Sequence, residues 1–332
     1  MTDFDPVSTP AGPHPGSASG KNAAPVSSGP ETALRRLARK SEWFLIGPVD
    51  CAKVDAFAWL FTASFLLWML HHFSHPLEWL TEKGFHLNSE DLRLMNYPAA
   101  FPLLNEWMVP FFGVLLFGSI ALFLAGLRNR LLLIGLFLLA LYVQRVDYMA
   151  SFTLNKIYVI VYFMLAAAPP RSSLSANSAT TQSAALLRLL QGFLLVLYFT
   201  AGLSKLLPGD WTNHSDVLWT HVQGVYRTDF AAWTLRTMPP VFWTVMQYLA
   251  LGFELFAPFF FCIRKIRIPV ILSGLMFHIV IALLMRELVY FSLQMIAFYL
   301  LFVPQSWINR VSFLYRERSP KEIWGKIRRL AR

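Results

Sequence analysis

The chain has 332 residues, of which 56% are hydrophobic, 15% aromatic and only 14% charged. A soluble globule of this length could not cover so much apolar surface, so the composition excludes one and points to an integral membrane protein. The formal net charge of +10 does not indicate nucleic acid as a partner, because the basic residues follow the order of the apolar runs rather than clustering on one segment.

Met1 to Pro30 is rich in Pro, Gly, Ala and Ser and has no apolar h-region, which excludes a secretory signal and predicts disorder. It runs into Arg35, Arg36, Arg39 and Lys40, a basic amphipathic stretch suited to an anionic membrane surface. Residues 1–40 are therefore expected to be a disordered basic arm, 41–305 a transmembrane unit and 306–332 a basic cytoplasmic tail.

Eight apolar runs are long enough to be spans, at about 54–73, 108–127, 130–145, 150–168, 185–206, 241–262, 267–285 and 288–303. They are continuous rather than alternating, which predicts helices and not a barrel: an all-α polytopic bundle in a multi-pass protein of the plasma membrane, the inner membrane in a bacterium. Arg145, Asp147 and Lys156 crowd the join between the third and fourth runs, and Arg145 with Asp147 reads as a local ion pair at the interface. With eight spans, the clusters before the first run, at Arg128 and Arg130, at Arg171 and Arg188, at Arg264, Lys265 and Arg267, and from Arg310 onward all fall on one side. The positive-inside rule makes that side the cytoplasm, with both termini there.

His71, His72 and His75 at the end of the first run read as polar aromatics of the outer interface rather than metal ligands. No CxxC, HExxH or Walker pattern argues for a metal or nucleotide site, and Cys51 and Cys262 sit at cytoplasmic ends where a disulfide is not expected. The spacer from Arg171 to Ser183 reads as a flexible loop. No internal repeat suggests the inverted halves of a transporter.

The fifth run carries Gln191, Tyr198 and Lys205 seven residues apart, one slowly drifting face of a helix. Gln191 and Tyr198 suit hydrogen bonds to neighbouring helices. Lys205 leans back over Ala201 and Gly202, whose small size leaves room for a close helix or a ligand. An ammonium inside the membrane is disfavoured by up to about 3 kcal/mol, so Lys205 either has a partner or a protein-walled cavity, or snorkels to the interface. The long outer segment from Asp210 to Pro240 places Trp211, Leu218, Trp219, Val222, Val225, Tyr226, Phe230 and Trp233 at near-helical spacing. This predicts one or two short helices that either roof a cavity or anchor at the interface. Glu254 and His278 lie near the middles of the sixth and seventh runs, about three residues or about 4.5 Å apart in depth, which puts a direct pair within reach. Both default to functional groups, with a helix-joining bond as the alternative.

Tyr198-Phe199-Thr200-Ala201-Gly202-Leu203-Ser204-Lys205, followed by Gly209-Asp210-Trp211, resembles the signature of the HTTM family, the horizontally transferred transmembrane domain related to vitamin K-dependent gamma-carboxylase. Glu254-Leu255-Phe256-Ala257-Pro258, His278, Phe291-Ser292-Leu293-Gln294-Met295-Ile296 and Ala125-Gly126-Leu127-Arg128-Asn129-Arg130 are similar to other parts of that family. The resemblance implies a membrane enzyme, a gamma-carboxylase-like lyase, in which Lys205 acts as a neutral base on a reduced naphthoquinone of the vitamin K type. Glu254 and His278 would be its orienting or relay groups, and Tyr198, Gly202, Trp211 and Asn155 would surround the cofactor. Asn155-Lys156 stands where the carboxylase has an Asn-His pair, and its large lumenal substrate-binding region has no counterpart here, which argues against carboxylation of a docked protein and leaves a quinone-type or lipid-phase reaction open. A transporter using Glu254 and His278 along a solute path, and a non-catalytic membrane scaffold, are the competing readings.

Overall fold

The computed structural model describes residues 33–87, 89–149, 152–168 and 181–310. Most of the arm expected over 1–40, most of the Arg171–Ser183 spacer and most of the tail lie outside the described residues. Residues as far as Trp43 form one unit, described from residue 33, and Phe44 begins the other.

Helix α1 is Ala33–Ile46, and strand β1 (Pro48–Asp50) leads into α2 (Ala52–His72). After the short helices α3 (Pro76–Leu80) and α4 (Ser89–Leu94) come a single 3-10 turn (Glu106–Met108), α5 (Val109–Leu124), α6 (Arg130–Val146) and α7 (Thr153–Ala167). Strand β2 (Thr181–Ser183) precedes α8 (Ala184–Leu206). Then follow α9 (Asp210–Asn213), α10 (Val217–Val222), α11 (Asp229–Thr237), α12 (Pro240–Cys262), α13 (Arg267–Leu284), α14 (Leu288–Tyr299) and α15 (Gln305–Arg310).

Every apolar run thus folds as helix, for the reason that its backbone has no other donors in lipid. Five of these helices are long and apolar enough to cross a membrane: α2, α5 with its preceding turn, α8, α12 and α13. Helices α6, α7 and α14 are shorter, at 17, 15 and 12 residues. The chain marks their ends. Asn129 caps α6 by accepting from the Leu132 N–H at 2.7 Å, and α14 tightens after Tyr299 into three-residue turns from Ala297, Phe298 and Tyr299 to Leu300, Leu301 and Phe302.

The core is built around α2. Phe57, Phe61, Phe65 and Trp68 recur on its buried face and meet Tyr158 and Tyr162 of α7 and Phe298 of α14. Polar groups there are paired between helices: Tyr162 donates to Thr62 at 3.2 Å, and Ser64 and Tyr158 share a bond of 3.0 Å. On α5, Phe111, Val114 and Leu115 are exposed, the face a lipid-embedded helix presents to acyl chains. Strands β1 and β2 pair antiparallel, Pro48 opposite Ser183 and Asp50 opposite Thr181, which joins the starts of α2 and α8.

Two sequence expectations are corrected. Arg145 and Asp147 do not pair: Asp147 ends α6 in extended backbone, so the two side chains diverge. Arg145 donates to the Ala99 carbonyl at 2.7 Å, while Asp147 lies 3.6 Å from His86. The outer segment forms three short helices, α9 to α11, rather than one or two, because Thr228 supplies an additional cap, accepting from the Ala231 N–H at 3.0 Å.

Helix α12 carries a proline at position 258. Pro258 has no N–H to return to the carbonyl four residues earlier, and that carbonyl belongs to Glu254.

Candidate functional site

The site starts from a contact between two backbones. A Cβ on Gly202 would lie 2.9 Å from both the Leu255 backbone nitrogen and its side chain, so α8 and α12 approach each other at a distance that glycine alone permits. Of the two readings open for the space at Gly202, the close helix is realised and Leu255 fills the place of a ligand.

This crossing fixes what faces what one turn further on. Lys205 Nζ donates to Glu254 Oε2 at 2.5 Å, with the side chains 25% and 10% exposed. Glu254 therefore turns to α8 and not to His278, correcting the expected direct pair. The reason is rotation about α12: Gln247, Leu251, Glu254 and Ala257 share one buried face, which meets α8 at Glu254 and the segment that follows α8 at Gln247.

The third member comes from beyond the end of α8. Gly209, at φ +83°, turns the chain so that α9 begins at Asp210 and Trp211 folds back, its ring 5.3 Å from Lys205 Nζ. This is cation–π range. The loop is held by Gln247, fully buried one face-repeat before Glu254. Its Nε2 donates to the carbonyls of Trp211 (2.8 Å) and His214 (2.6 Å), and its Oε1 accepts from the Leu218 N–H at 3.0 Å. Gln247 was not among the sequence candidates, although an amide inside an apolar run was its visible signal.

A second polar group lies on the same stripe of α8, two turns earlier. The Tyr198 hydroxyl bonds His278 Nε2 at 2.7 Å and the Tyr299 hydroxyl at 2.5 Å. Both bonds form with neutral imidazole in the order Tyr299 to Tyr198 to His278, or in the reverse order with the other tautomer, while His278 Nδ1 has no partner among the described residues. Gly274 makes room for it, since a Cβ there would lie 2.2 Å from the Tyr299 hydroxyl. Phe253 packs edge-on against Tyr198, with ring centres 5.4 Å apart, directly before Glu254 in sequence. Tyr299 and Gly274 were missed in the sequence, where a tyrosine at a run's end looks like an interfacial anchor.

Asn155 joins neither group. Its Oδ1 accepts from Trp68 Nε1 at 2.7 Å, and its buried Nδ2 has no hydrogen-bond partner among the described residues. Beside it, Gln294 donates to the Leu154 carbonyl at 3.0 Å. The structure thus brings Lys205, Glu254 and Trp211 together, places Tyr198 and His278 in an adjoining chain, and leaves Asn155 between α2, α7 and α14.

An amine, a carboxylate and an indole face in contact can hold, pass and shield one proton, and Leu207, 73% exposed, flanks them toward the outside. The model of the HTTM domain family matches residues 46–307, a stretch that contains all of these groups. No curated protein and no solved structure matches the chain.

Proposed function

Because the chain belongs to the HTTM family, we propose that this integral membrane protein is a gamma-carboxylase-like or oxygenase-like enzyme acting on a reduced quinone, with Lys205 as its base. The reading includes eight spans in a multi-pass protein with both termini cytoplasmic, a membrane unit over 41–305, a basic arm before it and a basic tail after it. The Lys205–Glu254 contact beneath Trp211 is the observation that carries it.

An ammonium cannot accept a proton, so a lysine base must first lose one. Glu254 at 2.5 Å is placed to take it, leaving a neutral amine beside a carboxylic acid while the net charge of the pair stays the same. Trp211 offers a flat π face on which an aromatic ring can stack. The residues present fit a reduced naphthoquinone: a proton acceptor, a store for that proton, an aromatic wall, and exposed Leu206 and Leu207 open to lipid. When bound, that group would supply reducing power and an acidic ring hydroxyl. Lys205 would draw on the hydroxyl, Glu254 would hold the displaced proton, and Trp211 would exclude water from the amine. Tyr198, His278 and Tyr299 tie α8 to α13 and α14 two turns from the pair.

The test is mass spectrometry of lipid-soluble molecules co-purifying with the wild-type chain and with Lys205→Ala, alongside quinone-dependent turnover. An isoprenoid quinone on the wild type, with turnover abolished in the folded variant, is the expected result. No quinone on either, or solute uptake that depends on Glu254, would overturn the enzyme reading in favour of a scaffold or a transporter.

A further inference from the structure

The starts of α2, α8 and α13 carry three cations that have no counter-charge among the described residues. Lys53 is the second residue of α2, Arg267 the first of α13 and Arg188 the fifth of α8. All three are half-buried, and the packing gathers them: Gln191, which Arg188 holds, reaches the Leu301 carbonyl, and the next residue, Phe302, packs on Phe261, whose carbonyl Arg267 holds, while the β1–β2 pair sets the start of α2, with Lys53, beside the start of α8. None has a carboxylate partner among the described residues, and Lys53 makes no hydrogen bond.

The arrangement is held in place. Arg188 donates from Nη1 to Gln191 Oε1 at 2.8 Å and lies 4.0 Å over the Phe44 ring, while Gln191 in turn donates to the Leu301 carbonyl at 2.7 Å. Arg267 spends Nε on the Phe261 carbonyl at 3.0 Å, which leaves both terminal nitrogens of its guanidinium. The β1–β2 pair fixes the start of α2 beside the start of α8. Like charges gathered by a fold repel unless an anion lies between them, and the described residues supply none.

Two observations say what kind of anion. The cluster lies at the ends of three helices long enough to cross a membrane, the depth at which lipid headgroups sit. Large apolar side chains adjoin it: Phe44, whose ring lies under Arg188, Leu45 and Ile46 after it, and Leu189 next to Arg188 in sequence are each 50–55% exposed. A soluble anion has no use for that surface, whereas acyl chains do.

We propose that Lys53, Arg188 and Arg267 form a binding site for the phosphate of an anionic phospholipid, whose chains lie along Phe44, Leu45, Ile46 and Leu189. Arg188 and Arg267 present planar guanidinium donors to the phosphate oxygens, and Lys53 adds a point charge. The site is independent of the Lys205 pair.

Native mass spectrometry of the full chain released from nanodiscs of phosphatidylcholine with phosphatidylglycerol tests this. The wild type should retain phosphatidylglycerol in preference to phosphatidylcholine. Each of Lys53→Gln, Arg188→Gln and Arg267→Gln should lower retention about fivefold, as expected of one basic residue near a membrane surface. Lys265→Gln, on an exposed neighbour of Arg267, should change it less than twofold. Lys53→Gln removes no bond within the protein, so its result stands even if Arg267→Gln does not fold. Equal retention of both lipids, a triple variant that binds like wild type, or an equal loss in Lys265→Gln would overturn the site. Displacement of the lipid by millimolar inorganic phosphate would overturn the lipid as its occupant.

Discussion

Leu255 occupies the space in front of Gly202, and through that contact the register of α8 against α12 is set. The distance between Lys205 and Glu254 follows from it, because both lie within one turn of the crossing. Gly202→Ala would put a methyl group 2.9 Å from a backbone nitrogen that cannot rotate away. The expected cost is about 1–3 kcal/mol from overpacking, read as a lower melting temperature in detergent, together with weakened pairing of Lys205. An unchanged melting temperature would show that the helices have room to spare.

Lys205→Met and Glu254→Gln should separate charge from pairing. Each leaves its partner alone in a largely buried place, while Lys205→Met with Glu254→Gln removes both charges. The double variant should be more stable than the sum of the single losses predicts, with a coupling of about 1–3 kcal/mol in a double-mutant cycle of thermal unfolding. Lys205→Arg is the sharper probe. It keeps the ion pair with Glu254 but cannot become neutral, so it should preserve most of the stability while abolishing quinone-dependent turnover.

Gln247→Leu removes three hydrogen bonds that fasten the chain from Trp211 to Leu218. Hydrogen exchange in residues 209–218 should accelerate at least tenfold, with α8 and α12 unaffected, since an ordinary hydrogen bond contributes about 1 kcal/mol. Gln247→Glu should give an intermediate result, because a carboxylate still accepts from Leu218 but cannot donate to two carbonyls.

The Tyr198 chain makes an asymmetric prediction. Tyr198→Phe takes the middle link away and leaves both His278 and Tyr299 without it, a loss of about 1–3 kcal/mol for buried groups left unpaired. Tyr299→Phe removes only an end link and should cost less. Gly274→Ala should mimic Tyr299→Phe by pushing that hydroxyl aside, without touching its chemistry. Thermal unfolding of the three variants gives the order; equal losses for Tyr198→Phe and Tyr299→Phe would contradict it.

The order and placement of the helices were legible because continuous apolar runs leave a chain in lipid no alternative. The polar residues of the site, Tyr198, Lys205, Glu254 and His278, were legible for the complementary reason that each stands out in such a run. Their pairing was not. Position in a run gives depth, and Glu254 and His278 are close in depth; what separates them is rotation about α12, which depends on which face meets α8. Gln247 and Leu251 fix that face, and their meaning is clear only once the neighbour is known. Asn155 shows the same limit from the other side. It matched a family position, yet its side chain is engaged by Trp68 of α2. The third short outer helix depended on one threonine hydroxyl reaching a backbone N–H, a contact with little weight in a spacing pattern.

The proline in α12 gives the carboxylate an unusual seat. Because Pro258 cannot close the loop of hydrogen bonding back to Glu254, the main chain is weakest at the residue whose side chain meets Lys205. A perfectly regular rod would lock the acid at a single height and bearing. This one lacks that rung, and the crossing at Leu255, the very next residue, is what holds the acid against the amine.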